Sequence, residues 1–91
     1  MKVCVFGSGY VGLTQAACLA ESGHHVYCVD IDVQRIKHLQ QGVVPFFEPE
    51  LLNLVKAGID TGKLIFLTDA AAAINFAEVI FIAVGTPLTA D

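Results

Sequence analysis

Positive charge is scarce in this sequence. Five Lys and Arg residues stand against nine Asp and Glu, a formal net charge of −4. No basic stripe or Arg-rich segment occurs, which argues against a nucleic-acid partner. An anion held by such a chain must be held mainly by backbone N–H groups and a helix end. Long apolar runs are also missing, since none reaches the ~18–20 residues of a spanning helix. The opening "MKVCVF" is not a secretion signal, because its apolar run halts at Gly7. No membrane partner is expected, and the cytoplasm is the expected compartment. Cys4, Cys18 and Cys28 lack C-x-x-C spacing, so no metal site is expected. Cys4 and Cys28 read as small hydrophobes in strands, and a reducing compartment disfavours a disulfide between them. His24 and His25 are adjacent, and extended backbone sends neighbours to opposite faces, which argues against a shared metal. There is no internal repeat, low-complexity segment, catalytic triad or pair of facing carboxylates.

Apolar residues, in contrast, are abundant. Of 91 residues, 55% are hydrophobic and 15% charged, and the mean hydropathy is +0.66. That is rich for a small domain, which buries less of its surface than a large one. Parallel strands covered on both faces explain part of it. A chain cut from something larger, with apolar surface left uncovered, is the expected source of the rest.

The apolar pattern alternates between two periods. "KVCVF", 2–6, reads as a strand, and 10–22 as a helix of small residues through Gly12, Ala16 and Leu19, with Gly23 as its C-cap. "HVYCVD", 25–30, reads as the second strand. Residues 32–42 read as a helix capped by Asp32, with Ile36 and Leu39 inward and Gly42 as its stop. Pro45 and Pro49 make "VVPFFEPE" a loop. A short amphipathic helix follows from Glu50 to about Ala57, and "GIDTGK" reads as a turn. "LIFLT", 64–68, is the third strand; Asp69 caps a short helix to about Phe76; "EVIFIAV", 78–84, is the fourth strand. Alternation of this kind calls for a parallel α/β sheet. The expected fold is Rossmann-type, with four strands in the order 3-2-1-4, as one partial dinucleotide-binding domain over 1–91.

Where the first strand ends, "GSGYVG" sets Gly7, Gly9 and Gly12 at the spacing of a dinucleotide fingerprint. Gly7 permits the tight turn, Gly9 lets a pyrophosphate approach the backbone, and Gly12 lets the helix pack on the strand. The N–H groups around Tyr10 and Val11 would point at the phosphates. Glycines alone are weak evidence, but the motif follows a strand, opens a helix and precedes a second strand. That strand ends in Asp30, 18 residues after Gly12. A carboxylate there accepts from ribose hydroxyls and repels a 2′-phosphate, so NAD is expected over NADP. Arg35 either approaches the adenosine side or is a solvated helix residue. Asp32 reads as a helix cap rather than a second ribose ligand. After the fourth strand, Thr86 of "VGTP" either offers a hydroxyl to ribose or phosphate or belongs to a plain strand-ending turn.

Together, "FGSGYVGL", "CVDID", "FFEPEL" and "VIFIAVGTP" resemble the N-terminal segment of the UDP-glucose/GDP-mannose dehydrogenase family over nearly the whole chain. The resemblance implies an NAD-dependent oxidation of a nucleotide sugar's primary alcohol to a carboxylate. Two hydride transfers would run through a thiohemiacetal and a thioester. It also implies cofactor contacts from the glycine loop with Val11, and from Asp30, Arg35 and Thr86. The family's nucleophilic Cys and its Lys, Asn and Asp partners lie further along a complete chain. None of Cys4, Cys18 and Cys28 matches that motif, so these 91 residues are expected to be catalytically inactive and to bind NAD weakly. In "FFEPEL", Glu50 stands where the family usually has Gly. Glu48–Pro49 reads either as a Pro-fixed loop or as a ligand contact at the rim.

Other readings remain open at this point. A regulatory nucleotide-sensing module of the potassium-transport type uses a similar fingerprint and strand-end acid, but does not require "FFEPEL" with "VGTP". A hydroxyacid or hydroxyacyl dehydrogenase is a third reading. The open edge beside "VIFIAV", or the uncovered face of the sheet, is expected to drive self-association. A clean monomer by light scattering at high concentration would contradict that.

Overall fold

Eight elements alternate in the order that the apolar pattern predicts. The computed structural model describes residues 1–45 and 48–83, so Gly85 and Thr86 lie outside the described residues. The elements are β1 (Lys2–Phe6), α1 (Tyr10–Glu21), β2 (His25–Val29), α2 (Val33–Gln40), α3 (Pro49–Asp60), β3 (Leu64–Leu67), α4 (Ala70–Phe76) and β4 (Val79–Ile82). The four strands form one parallel sheet in the order β3-β2-β1-β4.

Strand alternation divides the side chains between two faces. Val3, Val5, Val26, Cys28, Leu64 and Phe66 are buried with Leu13, Ala16 and Ala17 of α1, Ile36 and Leu39 of α2, and Leu51 and Val55 of α3. Cys4 and Val29 face the other way, onto Ala73 of α4. Cys4 and Cys28 therefore sit on opposite faces and are free thiols. The second face is covered by the short α4, and Ile80 and Ile82 of the edge strand β4 stay exposed.

Helix ends follow the capping residues. Asp32 accepts from the Arg35 N–H at 3.0 Å, and Asp69 from the Ala72 N–H at 3.1 Å. Past the end of α1, the His24 N–H reaches the Leu19 carbonyl and the Gly23 N–H the Ala20 carbonyl, the double closure of a Schellman end. α3 differs from expectation: it starts at Pro49 and runs through Gly58 to Asp60. Proline at the first helical position forfeits no hydrogen bond, so it starts this helix rather than breaking it. Gly58 belongs to the helix because α3 lies close on β3; a Cβ there would sit 2.8 Å from the Leu64 Cβ.

The register places the strand ends level. Phe6 pairs with Val29 and with Ile82, and Val29 pairs with Leu67. Gly7, Asp30 and Ala83 leave the sheet side by side. The Gly7 N–H donates to the Val29 carbonyl at 2.7 Å, and the Ala83 N–H to the Phe6 carbonyl at 2.8 Å.

Candidate functional site

The site is built where β1 turns into α1. Gly7 has a φ of 100°, which an L side chain rarely adopts. This turn aims the Gly7 carbonyl under the first turn of α1, where a Cβ on Gly12 would lie 2.0 Å from the carbonyl oxygen. Gly9 is different. Its φ is −67° and nothing lies within 4 Å of where its Cβ would be. The fold does not require glycine at Gly9, and the space above it is open.

Gly9 is the N-cap of α1 and supplies no side-chain cap. The first turn of α1 carries no acidic residue, whereas α2 and α4 are capped by Asp32 and Asp69 and α3 carries Glu50. Tyr10 and Val11, at 45% and 67% exposure, flank this end. The backbone N–H groups of a helix start and the positive end of the helix dipole suit a phosphate.

Asp30 stands beside this loop, as the spacing predicted, but its partners were not legible in the motif. The Ser8 N–H and the Ser8 hydroxyl both donate to Asp30 Oδ2, at 2.9 and 2.6 Å. The Asp32 N–H donates to Oδ1 at 3.0 Å. Ser8 is completely buried. A carboxylate has about four lone-pair sites, so among the described residues one acceptor position on Oδ1 is unfilled. Burial alone would raise the Asp30 carboxyl pKa; the Ser8 hydroxyl, the Asp32 and Ser8 N–H groups and the Arg35 charge outweigh it and hold the group below its usual value.

Arg35, the chain's one arginine, lies with Nη1 3.8 Å from Asp30 Oδ2. Its side chain is 39% exposed, so it is partly solvated as well as beside the acid. Asp32 caps α2 as expected. The Tyr10 phenol donates to Glu48 Oε2 at 2.8 Å. That bond joins the glycine loop to the start of α3, and with it two motifs 38 residues apart. Hydrogen bonding to Glu48, then burial and the Glu48 charge, raise the phenol pKa.

Burial sets the state of two of the three thiols. Burial, then the Asp30 charge and Cys4, push Cys28 up to about 12. Burial raises Cys4 as well. Neutral buried thiols are inert. Cys18 is exposed, in the second half of α1 away from the loop. Among the described residues no group of His, Cys, Asp and Glu could hold a metal, and no helix is long and apolar enough to cross a membrane.

Comparison with known proteins decides the family. Residues 1–91 match the UDP-glucose/GDP-mannose dehydrogenase family, NAD binding domain. The chain belongs to this family. It is 45% identical over 91 residues to the UDP-glucose 6-dehydrogenase of Pseudomonas aeruginosa, covering 100% of this chain and 20% of that protein. It is 44% identical over 88 residues to the UDP-glucose 6-dehydrogenase TuaD of Bacillus subtilis, covering 97% of this chain and 19% of that protein. A crystal structure of GDP-mannose dehydrogenase from Pseudomonas aeruginosa superposes with a TM-score of 0.92 at 42% identity, over 96% of this chain and 20% of that one. The UDP-D-ManNAc dehydrogenase of Pyrococcus horikoshii superposes with a TM-score of 0.91 at 35% identity, over 98% and 21%.

The chain thus spans about a fifth of the length of the curated relatives it matches. The cofactor of this family domain is NAD. The four-strand Rossmann arrangement is that of the dehydrogenase neighbours.

Proposed function

We propose that this chain is the adenosine-holding part of the NAD site in a nucleotide-sugar dehydrogenase. The observation that carries this is the Asp30 carboxylate, whose Oδ1 accepts a single hydrogen bond among the described residues, set level with a helix N-terminus that has no side-chain cap. The open space over Gly9 and the N–H groups near Tyr10 and Val11 fit a pyrophosphate. Asp30 Oδ1 fits a ribose hydroxyl. Arg35 would approach the adenosine from the Asp30 side, and Thr86 would meet ribose or phosphate from the end of the fourth strand. When bound, NAD supplies the hydride acceptor. Gly7 and Gly12 shape the cradle, and the protein's own role here is to bind and orient.

Oxidation of a nucleotide sugar would need a nucleophile; Cys4 and Cys28 are buried with raised pKa values, and the exposed Cys18 lies away from the glycine loop. A protein of these 91 residues should therefore bind NAD yet leave it unreduced in the presence of UDP-glucose.

Isothermal titration with NAD and NADP tests the reading. NAD should bind more tightly than NADP. Asp30→Ala should raise the NAD dissociation constant roughly ten- to hundredfold, the loss of a hydrogen bond to a charged group, and should narrow the NAD/NADP gap. An unchanged NAD affinity in Asp30→Ala would remove Asp30 from the site.

A further inference from the structure

Ser8 is the variable position inside the glycine fingerprint and carries no assigned role in it. Its side chain is nonetheless completely buried and spends its hydroxyl on one atom, Asp30 Oδ2, at 2.6 Å. Its backbone N–H reaches the same oxygen at 2.9 Å. Two donors from one residue on one carboxylate oxygen fix both the position and the rotation of the carboxylate. The Asp32 N–H holds the other oxygen, Oδ1, at 3.0 Å.

We infer that Ser8 is a positioning residue that sets cofactor specificity: it pins Asp30 so that Oδ1 faces the ribose and the negative charge cannot swing away from an incoming 2′-phosphate. This rests on Asp30 being the ribose acceptor. The physical case has three parts. A hydroxyl-to-carboxylate bond is among the short, charge-assisted kind, roughly twice as strong as a neutral one. Ser8 is anchored in the turn between Gly7 and Gly9, so the constraint is tied to the loop that faces the phosphates. Arg35 Nη1 lies 3.8 Å from the same Oδ2. While Asp30 is pinned, the guanidinium stays beside a carboxylate. Once Asp30 is released, the guanidinium is free to meet a 2′-phosphate, the ligand chemistry an arginine at this position serves. Ser8 therefore acts on NAD and NADP in opposite directions.

The test is a double-mutant cycle read by calorimetric titration with NAD and with NADP, on wild-type protein, Ser8→Ala, Asp30→Ala and the double variant. Ser8→Ala should weaken NAD about five- to tenfold, part of the value of a hydrogen bond to a charged group, and should weaken NADP less or strengthen it. In the Asp30→Ala background, Ser8→Ala should change neither affinity. Ser8→Thr keeps the hydroxyl and should restore the wild-type NAD/NADP ratio. If Ser8→Ala does not fold, Ser8→Cys, close in size and a poor donor, takes its place in the cycle with the same expected outcome. An equal loss of NAD and NADP in both backgrounds would show that Ser8 shapes the loop without acting through Asp30, and would overturn the inference. So would wild-type affinities in Ser8→Ala, with Asp30→Ala still weakened and the Asp30 reading intact. If Asp30→Ala itself binds NAD like wild type, the ribose reading fails and the role of Ser8 falls with it.

Discussion

Gly9→Ser should produce a protein that melts no lower than wild type and binds NAD roughly ten- to hundredfold more weakly, the loss of one to two charge-assisted contacts. The two halves of this result come from separate observations. Gly9 has a φ of −67° and open space where a Cβ would point, so the backbone accepts any L residue. It is also the N-cap of α1, where serine ranks above glycine by a few tenths of a kcal/mol. The new hydroxyl would accept an N–H from the first turn of α1 and so stabilise the free chain. The same N–H would then be lost to a pyrophosphate, and the added side chain would stand in its approach. Thermal melting and calorimetric titration check the pair. A fall in both stability and affinity would mean that Gly9 serves packing after all.

Gly12→Ala should do the reverse and damage the fold first. The added methyl would lie 2.0 Å from the Gly7 carbonyl oxygen and 3.3 Å from the Ala83 Cβ. Relief by movement of Gly7 is blocked, because its N–H is bonded to Val29 at 2.7 Å and its φ is 100°. α1 would have to lift from the sheet, disturbing the contacts of Leu13, Ala16 and Ala17 with Val3 and Val5. Overpacking costs about 1–3 kcal/mol and occasionally more, and a clash with a fixed carbonyl belongs at the upper end, about 3 kcal/mol. For a domain of this size that corresponds to a fall in Tm of roughly 12–24 °C. Native domains have only ~5–15 kcal/mol in hand, so a large part of the stability would go. Urea or thermal unfolding measures it, and a fall of only a few degrees would mean that the loop relaxes more easily than its hydrogen bonds allow.

These two glycines stand three residues apart in one motif, and their letters are the same. One is required by the neighbouring carbonyl, the other is spare in the fold and faces open space. Only the tertiary structure separates the two reasons. Gly58 teaches the same point from another direction. Its sequence neighbourhood, "GIDTGK", reads as a turn, yet the helix runs through it because α3 approaches Leu64 too closely for a side chain. Tertiary packing overrode a local signal there.

Most of the architecture was legible beforehand. Period-2 and period-3.6 apolar patterns gave all eight elements, and the alternation gave a parallel sheet in the order later found. Asp32 and Asp69 announced two helix starts that the structure repeats. Asp30 was legible as the strand-end acid. Arg35 was half legible, since its spacing left two placements and only the fold shows its guanidinium 3.8 Å from the Asp30 carboxylate.

Local pattern alone determined the elements, their order, the glycine turn and the acid that faces it, because each depends on residues within one turn, one strand or one β-α-β unit. The tertiary structure decided what those residues touch. Ser8 meets Asp30 across 22 residues, and Tyr10 meets Glu48 across 38. Neither pair has a spacing rule. The first exists because the sheet register sets Phe6 opposite Val29, so the residues just past each strand end come out together. The second exists because α3 packs back against α1 and carries its N-cap to the glycine loop. Register and packing are properties of the whole buried core, and no short stretch of sequence encodes them.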